Sequence, residues 1–364
     1  EEAQGYARLR EWLGTPEDTL VAMEATGHYW QNLFAFLVGE GFRVVLINPL
    51  RTHRFAGEDL ERTKTDAIDA LGIARFARQK RPEPVAMPDE ATRDLRELVR
   101  LRDRLVAEQQ EQTNRLHRLV DLGFPEFTRY VKDLTGPLAT TLLARCPTAR
   151  VFAAEKPNLL ADVGYAGRNR VGEELAQKLV EAAKRSVGSH HGEPYVLQVR
   201  YACEDLVMLR RRLHGLESDI NRIIQTHEIG KLLVTIPGIG TQTAARVLAE
   251  VGDPASFRDG AALASYAGLV PGLRLSGKSM TSMRASLTPI GNARLRRGLY
   301  MPTLVAVRFN PWLRSFYKRL LANGKPKKVA LTAASRKLLH AIYSVAKHRR
   351  PFVPILATPQ EVPA

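Results

Sequence analysis

The sequence predicts an α/β unit followed by a longer, mostly helical region. Three observations carry this. Residues 1–80 alternate short apolar runs with helical stretches. Residues 199–223 hold an apolar seam at spacings of 3 and 4, and residues 232–253 read as two helices joined by a Pro-Gly hairpin. Alternation at the first spacing means a sheet covered by helices, and a sustained 3-and-4 repeat means paired helices.

In chain order, a first helix ends near Gly14 and the strand Leu20–Glu24 follows. A helix over His28–Val38 leads to the strand Arg43–Ile47, which Asn48-Pro49 ends. A helix from Thr65 to about Gln79 closes the unit, because Lys80-Arg81-Pro82-Glu83-Pro84 cannot continue it. A domain boundary is therefore placed near residue 85. Residues 90–122 form a long, charged amphipathic helix. Its counterpart carries Val199, Ala202, Leu206, Leu209, Leu213, Leu216, Ile220 and Ile223, a coiled-coil seam that could pair within one chain or between subunits. Residues 123–193 read as a small helical insert, and residues 229–354 as a further helical domain before a short tail. In Pro237-Gly238-Ile239-Gly240, the glycines let backbone approach a ligand, and the amides opening the next helix suit a phosphate.

Charge divides the chain. Residues 1–90 carry 11 Lys/Arg against 15 Asp/Glu, whereas residues 231–354 carry 21 against 3. An acidic front and a basic back point to a metal-binding module joined to one that binds a polyanion, meaning nucleic acid. Arg294, Arg296 and Arg297 open one helix of the basic part, and Lys325, Lys327 and Lys328 precede another. No run of 18 apolar residues exists to span a membrane. Cys146 and Cys203 form neither a disulfide framework nor a zinc pattern, as expected in a reducing cytoplasm. The adjacent His190 and His191 in one loop rarely share an ion.

The candidate chemistry starts with Lys64-Thr65-Asp66-Ala67-Ile68-Asp69. Asp66 and Asp69 lie one helical turn apart and repel each other by about a few tenths of a kcal/mol, a conflict that a cation relieves. Glu24 ends an apolar strand, where a carboxylate is costly unless paired or bound to metal. Oxygen ligands of this kind suit Mg2+. Acids in the first turn of a helix are also favoured by its dipole without any metal. In the basic part, Ser276-Gly277-Lys278 contains a serine that chemistry alone does not rank above its neighbours.

These segments together resemble one family. Glu24-Ala-Thr-Gly-His-Tyr, Ile47-Asn-Pro, Lys64-Thr-Asp-Ala-Ile-Asp-Ala, Pro237-Gly-Ile-Gly, Tyr266-Ala-Gly-Leu, Ser276-Gly, Gly291-Asn and Leu295-Arg-Arg-Gly-Leu-Tyr occur in the order found in DEDD-type transposases of insertion sequences. These are related to Piv invertases and are known as bridge-RNA-guided recombinases. The resemblance runs from about residue 1 to 353 and weakens over 123–193. It implies an RNase H-like (RuvC-like) domain, a coiled-coil region and a C-terminal transposase domain with a nucleophilic serine. Residue by residue, it assigns metal-holding acids to Glu24, Asp66 and Asp69 and the nucleophile to Ser276. The family's first aspartate lies on an opening strand upstream of Glu1, so three of four acids are present and the first strands are expected to be absent.

The expected chemistry is cutting and rejoining of DNA through a phosphoserine link at Ser276, with Mg2+ at the acids and Arg274, Lys278 and Arg294 clamping phosphates. The resemblance further implies a guide RNA, a homo-oligomer through the coiled coil, and work at the prokaryotic nucleoid in the cytoplasm. Two other readings stay open: a metal-dependent junction nuclease that hydrolyses with water, and a non-catalytic nucleic-acid-binding scaffold.

Overall fold

A computed structural model describes residues 2–56, 65–272, 286–287 and 290–354. The chain forms two compact units, Glu1–Asp89 and Glu90–Ala364.

The first unit begins with α1 (Ala3–Leu13) and continues through β1 (Leu20–Glu24), α2 (Trp30–Gly39), β2 (Arg43–Ile47), α3 (Pro49–Ala56) and α4 (Asp66–Lys80). β1 and β2 are parallel, in register from Leu20 opposite Arg43 to Glu24 opposite Ile47. Parallel neighbours need a crossover, and α2 supplies it. Strand side chains alternate between faces. Val21, Met23, Val44 and Leu46 pack with Phe34 and Leu37 of α2, while Ala22, Val45 and Ile47 pack with Phe55 of α3 and Ile73 and Phe76 of α4. The unit is thus a small α/β layer covered on both faces. Helix α3 goes beyond the sequence reading, in which Asn48-Pro49 only stops a strand. The pair is also a helix start: the Asn48 side chain accepts from Leu50 N at 2.9 Å, and Pro49 needs no amide partner at the first helical position.

In the second unit, α5 (Glu90–Gly123) and α11 (Glu193–Thr226) pack along their lengths. They run antiparallel: Leu95 shares a core with Ile220 and Ile224, Arg102 pairs with Glu217 at 2.6 Å, and the Tyr195 hydroxyl donates to Leu119 O. The heptad seam is therefore buried against α5 of the same chain, which answers the pairing question that spacing leaves open. At one end, α6 (Phe127–Tyr130), α7 (Pro137–Arg145), α8 (Ala149–Ala154), α9 (Pro157–Ala161), the hairpin of β3 (Gly164–Tyr165) and β4 (Asn169–Arg170), and α10 (Glu173–Lys184) form a cap. Its core includes Phe124, Phe127 and Phe152. Cys146 and Cys203 are free and buried in it, and burial pushes both thiols up to about 12.

At the opposite end, α12 (Glu228–Leu233), α13 (Thr241–Val251), α14 (Gly260–Tyr266), β5 (Pro271–Gly272), β6 (Ser286–Leu287), α15 (Ala293–Gly298), α16 (Tyr300–Phe309), α17 (Pro311–Ala322) and α18 (Lys327–His348) complete the unit. Their core takes in Leu95, Val99, Ile220 and Ile224, so the helical pair and the C-terminal helices are one body. The helix expected over Arg294–Val307 is broken into α15 and α16. At Gly298 a Cβ would lie 1.9 Å from Cδ of Arg246, and Arg246 is itself held by Asp103 of α5, Nη1 to Oδ2 at 2.7 Å. No described helix is long and apolar enough to cross a membrane.

Candidate active site and nucleic-acid interface

Glu24 occupies the last position of β1, in the register of Ala22, and so lies on the face covered by α3 and α4. Its carboxylate is held from two sides. Thr26 Oγ1 donates to Oε1 at 2.5 Å, and Thr52 Oγ1 of α3 donates to Oε2 at 2.5 Å. Asp66 and Asp69 are exposed in the first turn of α4, whose N-cap Thr65 accepts from Ile68 N at 3.3 Å. Asp69 precedes Ile73, which packs in the same cluster as Ala22, by one turn. All three acids thus belong to elements that meet on one face of the sheet. Their oxygens suit a hard divalent ion, yet among the described residues no three His, Cys, Asp or Glu side chains come close enough together to hold one.

Ser276, Arg274 and Lys278 lie outside the described residues. The base of their segment is described: β5 and β6 pair antiparallel, Pro271 opposite Leu287 and Gly272 opposite Ser286. Two of the sequence motifs converge to hold this base. Asn292 N donates to Tyr266 O at 2.7 Å, and Arg296 Nη1 donates to Ala267 O at 3.3 Å and Ile290 O at 3.4 Å. Gly268 has φ +70°, and a Cβ there would sit 2.2 Å from Arg296 Nη1. Arg296, expected as a nucleic-acid contact, therefore works as an internal tie.

Arg294 is half-exposed and reaches to 3.9 Å from Oε1 of Glu250. Glu250, its side chain buried at the end of α13, also lies 3.9 Å from Arg100 and accepts from Asn292 Nδ2 at 2.9 Å. Sequence reasoning missed Glu250 and Arg100, since nothing local marks a lone Glu or Arg as partners across the fold. Arg297 is exposed, with Nε donating back to Ala293 O at 3.3 Å.

The Pro-Gly hairpin joins α12 to α13, but its two glycines differ. Gly238 has φ +103°, and a Cβ would come within 2.5 Å of Ala306 Cβ on α16. Its need for glycine is set by packing inside the chain. Gly240 is exposed, with open space where a Cβ would stand, and it caps α13. Lys325, Lys327 and Lys328 are all exposed at the start of α18. Cations there oppose the helix dipole, so the fold does not require them, and a polyanion would relieve the conflict.

Residues 1–125 match a family model described as a transposase of the DEDD IS110 type, and residues 230–318 match one for the transposase IS116/IS110/IS902 family. An insertion element IS110 uncharacterized 43.6 kDa protein of Streptomyces coelicolor is 28% identical over 84% of this chain and 76% of its own. The pilin gene-inverting protein of Moraxella bovis is 27% identical over 96% of this chain and 88% of its own. A transposase for insertion sequence element IS1328 of Yersinia enterocolitica is 26% identical over 80% and 71%. With two models matching in order at the two ends and relatives spanning most of its length, the chain belongs to the IS110-type family of DEDD transposases.

Proposed function

We propose that this chain is a DNA recombinase that cuts and rejoins strands through a phosphoserine intermediate at Ser276, in the bacterial cytoplasm. Ser276 Oγ forms the new bond to phosphorus, the bond to the departing sugar oxygen breaks, and that oxygen takes up the proton. The energy of the phosphodiester is kept in the serine ester for rejoining rather than lost to water. Glu24, Asp66 and Asp69, on an RNase H-like unit, would hold a Mg2+ that neutralises charge at the scissile phosphate. Arg274, Lys278, Arg294, Arg297 and the Lys325–Lys328 cluster contact phosphates, and Gly240 offers the amides of α13. A guide RNA selects the target, by likeness to the family alone. Copies that assemble do so through a surface other than the heptad seam, which α5 covers.

The observation that carries this reading is Glu24. A carboxylate fixed by Thr26 and Thr52 at the end of a parallel strand, facing the helix that bears Asp66 and Asp69, fits a preset ligand. The test compares the parent with Glu24→Ala and Asp66→Ala on end-labelled DNA with guide RNA and Mg2+. Both variants are expected to lose cleavage by at least about a hundredfold while binding DNA within about twofold, because acids add nothing to affinity for a polyanion. Cleavage near the parent rate in either variant refutes the assignment.

A further inference from the structure

Helix α18 carries Arg336, His340, Ser344 and His348 at four-residue spacing. Side chains at that spacing form one line along a helix, about 18 Å long over twelve residues. Each end of the line opens into a hollow. At the first end, Arg336 lines a space of about 540 Å³ together with Arg258, Ser265 and Val270. Val270 immediately precedes β5, so this hollow adjoins the start of that strand. At the other end, His340, Ser344 and His348 line a pocket of about 350 Å³ together with Trp312, Phe352 and Arg350.

This second pocket has built walls. The Trp312 and Phe352 rings meet edge to face, 5.8 Å between centroids and 64° between planes. Phe352 is pinned, its amide donating to Thr235 Oγ1 at 2.8 Å, and Arg349 beside it pairs with Asp253 at 2.8 Å. Lys337 Nζ sits 4.7 Å from the centroid of the Trp312 ring and 4.5 Å from that of Phe316. Burial, helped by Arg336, holds the His340 imidazole below its usual pKa, so it is neutral at pH 7 and can both donate and accept. Among the described residues no carboxylate lines either hollow, although Arg258 also pairs with the neighbouring Asp259 at 3.1 Å. The occupant that fits is polyanionic along its length and aromatic at one point. A paired base stays within its stack, so an unpaired one is what can seat between side-chain walls.

We infer that the α18 line is a track for a single-stranded stretch of nucleic acid, with phosphates along Arg258, Arg336 and Arg350 and one unpaired base seated against Trp312 and Phe352. This rests on the recombinase reading for its class of substrate and adds a strand-specific subsite to it. The strand is either guide RNA or DNA displaced during exchange; base and phosphate are the shared chemistry.

The test uses the full chain in EDTA, so that no cutting occurs. Fluorescence anisotropy measures affinity for labelled twelve-nucleotide single-stranded DNA, RNA of the same sequence, an abasic strand of equal charge, and a duplex. The parent is expected to bind a normal strand about tenfold more tightly than the abasic one, the effect of stacking one base. Phe352→Leu and Trp312→Leu should each bring that ratio to near one and leave duplex affinity within about twofold, with melting curves confirming that both are folded. Tighter binding of RNA identifies the guide as occupant, and tighter binding of DNA the displaced strand. Equal affinity of the parent for normal and abasic strands, or a base preference that survives in both variants, overturns the inference. Failure of the recombinase reading shows separately, as loss of covalent chemistry with this base preference intact.

Discussion

At one end of the α5–α11 pair, Phe124, Phe127 and Phe152 close a core under residues 123–193; at the other, Leu248, Leu263 and Leu338 close one under the C-terminal helices. Both cores are apolar, helical and continuous with the same two long helices. Their charges differ. Residues 123–193 carry 10 Lys/Arg against 8 Asp/Glu, and residues 231–354 carry 21 against 3. The near-neutral cap shows that this way of packing needs no cationic surplus. Net charge of one sign opposes compaction through self-repulsion, so the surplus on the second end answers to a partner rather than to folding.

The comparison breaks most visibly in the cap core. Phe152, fully buried between Phe124 and Phe127 at 5.2 and 5.8 Å, is expected to cost about 3–5 kcal/mol when changed to alanine. Thermal unfolding measures this, and the protein that remains folded should bind DNA as the parent does. A weakened affinity per folded molecule would mean that the cap, too, serves the ligand.

Within the basic end, the two hairpin glycines sharpen the division between packing and binding. Gly238→Ala meets Ala306 and a positive φ, and is expected to destabilise by about 1–3 kcal/mol. Gly240→Ala meets open space at a φ of −91° and should leave stability within about 0.5 kcal/mol. If chemical denaturation shows the two variants equally stable, Gly238 does not hold α16.

The smallest effect on stability, within about 0.5 kcal/mol, is expected for Lys325, Lys327 and Lys328 changed together to glutamine. Their effect on binding is the informative one. The slope of log affinity against log salt should become shallower by up to about 2.7 on duplex DNA, near 0.9 for each phosphate no longer neutralised. The same change at the exposed Lys132, Lys156 and Arg168 of the cap should leave the slope unaltered. Equal slopes for the two triple variants would erase the distinction between the ends.

Much of this organisation is legible in the residues, for reasons that are themselves physical. The seam from Val199 to Ile223 repeats every heptad, and alternation across Val21, Ala22, Met23 and Glu24 sorts the strand between its faces. Periodicity identifies a buried face but not what covers it, so the pairing of α11 with α5 needed the structure. Asn48-Pro49 signals both the end of a strand and the start of a helix, and only the second role accounts for Thr52 at Glu24. The site was legible unevenly. Glu24, Asp66 and Asp69 stand out because carboxylates at a strand end and in one helical turn are unusual company. Arg294, Arg296 and Arg297 look alike in sequence, yet one approaches Glu250, one ties down the base of the hairpin and one is exposed. Such differences arise from packing between segments far apart in the chain, which local spacing does not encode.

The most direct measurement of the central claim is a denaturing gel of end-labelled substrate DNA after reaction with guide RNA and Mg2+. A serine hydroxyl that attacks phosphorus leaves DNA covalently attached to protein, whereas metal-assisted hydrolysis leaves only free ends. The parent is expected to give a labelled band that migrates with the protein. Ser276→Ala should lose both that band and the cut, and Ser279→Ala should keep both. An adduct that persists in Ser276→Ala, or a parent that cuts and yields free ends alone, would contradict the phosphoserine mechanism and favour a hydrolytic nuclease.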